Sequence, residues 1–335
     1  MQAGWHSQVW FLHQIDCDKR KAYMVETDLQ RLSGALFLDG RTDFTRGRAK
    51  VCDLSRYLAD ETSHPVAPTR MIFHMGFCGS THLSRLIEEA RCGVVLKEPH
   101  SLVDLANRRA RAPISGEISK LTGRCINELH RVGAGFCDII VKPSNWANNL
   151  LLPIALDRGP NDRFITMSME PRSFVQAIFR GGRDRLSFAL AAVSHMATAC
   201  DRERDLALAL RGCETLEGAA RAAVLLYVIQ HALFARAAVI APEAVLELRY
   251  EKLVADPMTT LQRAARHLNL FLDETRASAA VAIGAKRDAK CLKTSFSPDR
   301  QASTNDSVNA HYGSLIDDAL AWGRRNLTDD ALASA

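Results

Sequence analysis

The sequence predicts an α/β fold: a three-layer sandwich with a mostly parallel central sheet of about five strands flanked by helices. Three observations carry this. Five short apolar runs, at 71–75, 94–96, 137–141, 164–167 and 245–248, alternate with stretches of helical periodicity. Short apolar strands separated by helices imply a parallel sheet covered on both faces. Polar residues follow the runs directly, where ligands gather in such sheets.

Each element follows in order. Residues 1–66 read as a small N-terminal preamble, with Val9 to His13 and Ala35 to Leu38 as short strands and Asp39-Gly40 as a turn. Pro65 and Pro68 mark the break before a main domain over 67–335. Met71 to Met75 is the first strand of that domain, and Leu83, Leu86 and Ile87 resume helical spacing after it. The runs beginning at Val94, Cys137 and Phe164 supply three more strands. Two long helical stretches, about 183–210 and 214–238, precede a fifth strand at Val245 to Leu248. Asp256-Pro257 then starts a helix, with Asp as N-cap and Pro in the first turn. The Ser, Asp and Asn content of Lys290 to Asn309 predicts a loop, and a last helix covers Ser314 to Arg325.

Composition narrows the function. The chain has 335 residues, 47% of them hydrophobic, and a formal net charge of +5 with its basic residues scattered. That balance suits an anionic small-molecule ligand and gives no argument for nucleic acid. Nine cysteines, with no Cys-x-x-Cys pair and no Cys/His cluster, read as reduced thiols of a cytoplasmic protein without a metal site. Trp5, His6, Trp10, His13 and Asp16 stand where a signal peptide needs an apolar core. The most apolar stretch, Ala222 to Phe234, contains Gln230 and His231 between Arg221 and Arg236, so it reads as a core helix and not a membrane span.

The central feature is Gly76-Phe77-Cys78-Gly79-Ser80-Thr81-His82, between the first strand and its helix. Gly79 permits a backbone path that turns consecutive N–H groups toward one anion. The helix N-terminus adds partial positive charge. Ser80 and Thr81 add hydroxyl donors, and His82 is a further candidate. The spacing is not that of a Walker A loop, because no Lys follows Gly79. The same residues also suit an ordinary strand-to-helix turn capped by Ser80 or Thr81.

Three segments together resemble the sulfotransferase superfamily of P-loop proteins. Phe77 to Ile87 is similar to its 5′-phosphosulfate loop, Phe164 to Ala177 with Glu170-Pro171-Arg172-Ser173 to its 3′-phosphate segment, and Leu248 to Pro257 to its Tyr-Glu-Asp-Leu-x-x-Asp-Pro segment. The order and spacing fit, and the resemblance covers about 70–270. It implies transfer of a sulfonyl group from a 3′-phosphoadenosine 5′-phosphosulfate-type donor to a hydroxyl or amine acceptor. It places Gly76 to His82, Arg172 and Ser173 at the nucleotide, and Glu98 as general base toward the acceptor. The departures are Phe77 for a basic residue, Cys78 for Ser, Met169 for Arg and Ala177 for Ser. An active transferase therefore needs its cation from another strand end. Lys97 and Lys142 are the candidates, Lys97 favoured by its neighbour Glu98. The alternatives are a non-catalytic nucleotide- or anion-binding protein, which the lost basic residues favour, and an ATP-using kinase, which the missing Walker Lys disfavours.

Overall fold

In the computed structural model, residues 6–59, 68–111, 115–199, 201–211, 215–284, 298–327 and 332 are described. The five apolar runs become strands β4 (Arg70–His74), β5 (Val94–Lys97), β6 (Ile139–Lys142), β7 (Arg163–Ser168) and β8 (Val245–Arg249), numbered after three that precede them. They form one sheet in the order β5-β6-β4-β7-β8, every pair parallel. β4 is central and all five of its residues are buried. The first crossover runs from β4 to β5 on one side; later the chain moves to β7 on the other. The tip of β4 is therefore the point where strand order reverses, where a crevice opens in sheets of this kind.

Helices cover both faces. α3 (Ser80–Glu89), α12 (Pro257–His267) and α13 (Glu274–Gly284) pack together. α4 (His100–Arg111), α5 (Gly116–Arg131), α6 (Asn145–Leu156) and α10 (Leu216–Ile240) form a second layer, with α7 (Pro171–Phe179), α8 (Gly182–Met196) and α14 (Pro298–Asn326) packed around α10. α9 (Asp201–Leu210) and α11 (Tyr250–Ala255) complete the main series. α10 is long and apolar enough to cross a membrane by length and composition, but most of its residues from Gly218 to Gln230 are buried against protein.

The N-terminal residues build more than the two expected strands. β1 (Gln8–Asp16), β2 (Lys21–Asp28) and β3 (Ala49–Asp53) form an antiparallel sheet in the order β1-β2-β3. Helices α1 (Leu29–Gly34) and α2 (Leu54–Ala59) follow β2 and β3. The β1–β2 turn contains no glycine. Asp16 accepts from the Lys19 N–H at 2.8 Å and Arg20 takes φ +52°. Phe11, Leu12 and Ile15 of β1 share one apolar core with Met71 and Ile72 of β4.

Three expectations are corrected. Ala35 to Leu38 is not a strand: the Leu38 N–H bonds to Lys97 O at 2.7 Å and its carbonyl accepts from the His100 N–H at 3.2 Å. This segment thus caps the end of β5. The stretch 183–210 is not one helix; a 3-10 turn at Ala197–Ala199 separates α8 from α9. The polar stretch read as a loop over 290–309 is helical from Pro298, while 290–297 lie outside the described residues. Its amides serve tertiary contacts: Asn305 accepts from Arg180 at 2.7 Å and Asn309 from Gln176 at 2.6 Å.

Candidate functional site

The loop after β4 has the backbone of an anion cradle. Phe77 has φ +69° and Gly79 φ +75°, while Cys78 between them and Ser80 after them do not take positive φ. Alternation of left- and right-handed residues turns successive N–H groups into one concavity. The first-turn N–H groups of Ser80, Thr81 and His82 have no intrahelical partner by the geometry of a helix start, so they extend the same array. Ser80 and Thr81 are buried, and His82 is half-buried with its pKa lowered by burial and by Arg85.

Gly79 is required twice over. Its φ disfavours a side chain, and a Cβ there would lie 2.8 Å from Tyr250 Cδ2 and 3.3 Å from Leu253 Cδ2. Tyr250 and Leu253 belong to the third of the three sequence segments, so that segment forms the floor on which the loop turns. Gly76 faces Asn145 instead, whose Nδ2 would be 3.0 Å from an added Cβ. The Cys78 thiol points inward and donates to Met75 O at 2.9 Å.

A second cluster stands at the tips of β4, β5 and β6. Lys142 is fully buried, and its Nζ is 3.0 Å from Glu98 Oε1 and 3.4 Å from His74 Nε2. Arg41, from the segment that caps β5, reaches Glu98 Oε2 at 3.3 Å. Glu98 itself holds φ +58°, a conformation in which a non-glycine residue stores strain. Burial would push the Glu98 carboxyl up, but the charge and hydrogen bond of Lys142, with Arg41, outweigh it and hold it below the usual carboxylate range. His74 joins this cluster to the loop. Its Nδ1 lies 2.9 Å from Met75 O, its Nε2 3.0 Å from Pro143 O, and its carbonyl accepts from Asn148 Nδ2. Burial, then Lys142, bring its pKa to about 3, so the ring is neutral. A neutral ring has one N–H for these two carbonyls; assigned to Nδ1, it donates to Met75 O, lets Nε2 accept from Lys142 and leaves the approach of Nε2 to Pro143 O without a hydrogen bond.

Lys97 is elsewhere. Its Nζ is enclosed by Glu88 Oε1 at 2.7 Å, Glu88 Oε2 at 2.8 Å, Ser33 O at 3.0 Å and Val95 O at 3.3 Å. Adjacent in sequence to Glu98, it makes its ion pair with α3 and not at the strand tips. Burial lowers Lys97 and raises Glu88, each opposed by the other's charge.

The segment after β7 is bound to the segment after β8. The Glu170 N–H donates to Glu251 Oε1 at 2.9 Å, and the Glu170 carboxylate pairs with Arg249. Arg172, in the first turn of α7, pairs with Asp317 of α14, and Ser173 beside it is half-buried. Arg183 is exposed, as a solvated helix charge should be. Arg185 is not: it is half-buried, with its guanidinium 4.4 Å from the centroid of the Phe77 ring.

Solved structures similar to this chain include several sulfotransferases. The sulfotransferase domain from the curacin biosynthetic pathway is 12% identical at TM-score 0.40, covering 74% of this chain and 98% of that one. A sulfotransferase from Alicyclobacillus acidocaldarius is 14% identical at TM-score 0.41, covering 75% and 96%. Retinol dehydratase, solved with androsterone and the inactive cofactor PAP, is 11% identical at TM-score 0.35, covering 89% and 87%. No protein-family model and no curated protein matches the chain.

Sequence reasoning expected Lys97, Glu98 and Lys142 together beside the loop, where only Glu98 and Lys142 pair at the strand tips. It missed Arg41, His74 and Arg185. Asp39-Gly40 was legible as a turn, and Gly40 does take φ +92°. Nothing in the sequence says that this turn lands on the end of β5. His74 lies in an apolar run and reads as core; it is buried, yet its ring bonds are what tie Lys142 to the loop.

Proposed function

We propose that the chain is a sulfotransferase-like enzyme that binds a 3′-phosphoadenosine 5′-phosphosulfate-type donor and passes a sulfonyl group to a hydroxyl or amine acceptor. The observation that carries this is the alternating backbone of Phe77 to Ser80, an anion cradle at the tip of the central strand, with an ionised carboxylate at the tip of β5. The N–H groups from 77 to 82 hold the 5′-phosphate side of the donor. Arg172 and Ser173 serve its 3′-phosphate, with Asp317 giving up Arg172 when the nucleotide enters. The donor, when bound, supplies the sulfonyl group.

The rest belongs to the chain's own residues. Glu98 accepts the acceptor's proton at a carboxylate oxygen. Lys142 and Arg41 keep that carboxylate ionised and aimed, and neutral His74 holds Lys142 against the loop. Lys97 serves indirectly, bracing α3 against β5 through Glu88 so that the start of α3 stays aligned with the anion. An ammonium at the strand tips also opposes negative charge that develops on the leaving group.

One observation favours a second reading. Glu98 bridges two cations that hold its pKa down, which weakens it as a base. A nucleotide-binding protein without transfer activity would also keep such a pair. Melting the full chain with adenosine 3′,5′-bisphosphate, with ATP and with neither tests the nucleotide. Only a ligand of the native state raises the melting temperature. The expected outcome is a rise with the bisphosphate that exceeds any rise with ATP. An equal or larger rise with ATP would contradict the proposal. Release of bisphosphate across a panel of hydroxyl and amine acceptors separates transfer from binding alone.

A further inference from the structure

Phe77 occupies the place where the resemblance sets a basic residue, and its ring is not idle there. It lies between Phe174, at 6.5 Å between centroids, and the Arg185 guanidinium, 4.4 Å from its own centroid. Arg185 reaches this position from α8 across a notch kept open by Gly181. A Cβ at Gly181 would fall 1.9 Å from Arg185 Cδ, so only glycine lets the side chain lie there. The bond from Arg185 Nη1 to Ala177 O, at 2.6 Å, fixes one of its five N–H donors.

Among the described residues, none compensates the charge of Arg185. Among the described residues no carboxylate acts on it; the charged neighbour it feels is Arg180, which repels it. Arg180 in turn bonds to the neutral amide of Asn305. Burial also lowers the Arg185 pKa. A half-buried guanidinium held in one geometry by a glycine notch, a carbonyl and a ring, with no counter-ion among the described residues, is an arrangement that a bound anion completes.

We infer that Arg185 is the cation of the phosphate loop: delivered from α8 over the Phe77 ring, it contacts the anion held by the N–H groups of 77–82. This rests on the proposed reading of the loop. It assigns to α8 the charge that a basic residue at 77 would otherwise bring. Phe77 then has a task of its own, as the aromatic face over which the guanidinium sits.

The test is calorimetric titration of the full chain with adenosine 3′,5′-bisphosphate. Arg185→Met keeps the aliphatic stem across Gly181 and removes the charge. It is expected to weaken binding about 10- to 100-fold, the value of a hydrogen bond to a charged group. Adding Phe77→Lys to that variant returns a cation to the loop and should recover most of the loss, which a merely structural role for Arg185 would not allow. If Arg185→Met does not fold, arginine modification of the wild type by phenylglyoxal decides the matter: Arg185 should react in the free protein and be protected by the bisphosphate. Wild-type affinity in a folded Arg185→Met, or equal modification with and without ligand, would overturn the inference and leave the loop reading standing. A wild-type chain that does not bind the bisphosphate would overturn both.

Discussion

Two lysine–glutamate pairs stand side by side at the end of this sheet, and they do different things. Lys97 and Lys142 are direct register partners on β5 and β6, and both are buried. Lys97 meets Glu88 under α3, where the carboxylate also accepts from the Val95 N–H and the Ser33 hydroxyl. Lys142 meets Glu98 at the open tip of the strands, beside His74 and Arg41. The two carboxylates are pushed in opposite directions, Glu88 up by burial and Glu98 down by Lys142 and Arg41. Residue type and burial are nearly the same. What separates the pairs is the number of cations around each carboxylate and whether a helix covers it. A buried Lys–Glu pair is thus a brace in one place and a candidate for chemistry one strand away.

Lysine substitutions press this difference hardest. Lys142→Met is expected to cut turnover about 10²–10³-fold, the usual cost of losing a charge-stabilising donor, with bisphosphate affinity changed far less. Lys97→Met should act on stability instead, by about 3–5 kcal/mol in a denaturant titration, because it strands Glu88 as an uncompensated buried charge. The contrast fails if Lys97→Met stays as stable as wild type and loses turnover. A pH series sharpens it next. His74 has a folded pKa of about 3 against an ordinary 6.5, so between those values the unfolded chain binds a proton that the folded chain does not. Its contribution is therefore complete above pH 6.5 and is lost as pH falls toward 3, at up to about 1.4 kcal/mol per pH unit. His74→Asn should flatten the measured slope over that range by a comparable amount; an unchanged slope would place the proton elsewhere. The smallest effect belongs to the solvent-facing pair of Arg172 with Asp317. Arg172→Ala should change stability by only about 0–1 kcal/mol. Its loss of affinity should be confined to nucleotides that carry a 3′-phosphate.

The parallel sheet was legible because both of its faces are covered, which writes each strand as an apolar run. The loop was legible because Gly79 sits at a strand-to-helix junction. β2 and β3 were not. The β1–β2 turn is closed by the Asp16 side chain and a left-handed Arg20, with no glycine to announce it, and β3 is largely exposed. The helical part of 290–309 was hidden for a related reason: Asn305 and Asn309 disfavour a helix locally, and their bonds to Arg180 and Gln176 repay that cost only in the folded chain. Spacing likewise joined Lys97 to Glu98, but a strand end followed by a residue at φ +58° sends the two side chains to different partners. Arg185 was hidden because its meaning depends on Gly181 and on the distant ring of Phe77.

The account stands or falls on the cradle at Phe77 to Thr81. Calorimetric titration of Gly79→Val with adenosine 3′,5′-bisphosphate, against the wild type at matched foldedness, measures it most directly. A β-branched side chain at φ +75°, with Tyr250 Cδ2 only 2.8 Å from its Cβ, cannot keep the loop's path. The expected result is measurable binding by the wild type and none by the folded variant. Equal affinity in the two proteins would show that the N–H groups of this loop do not hold the anion, and the loop would then be only a turn.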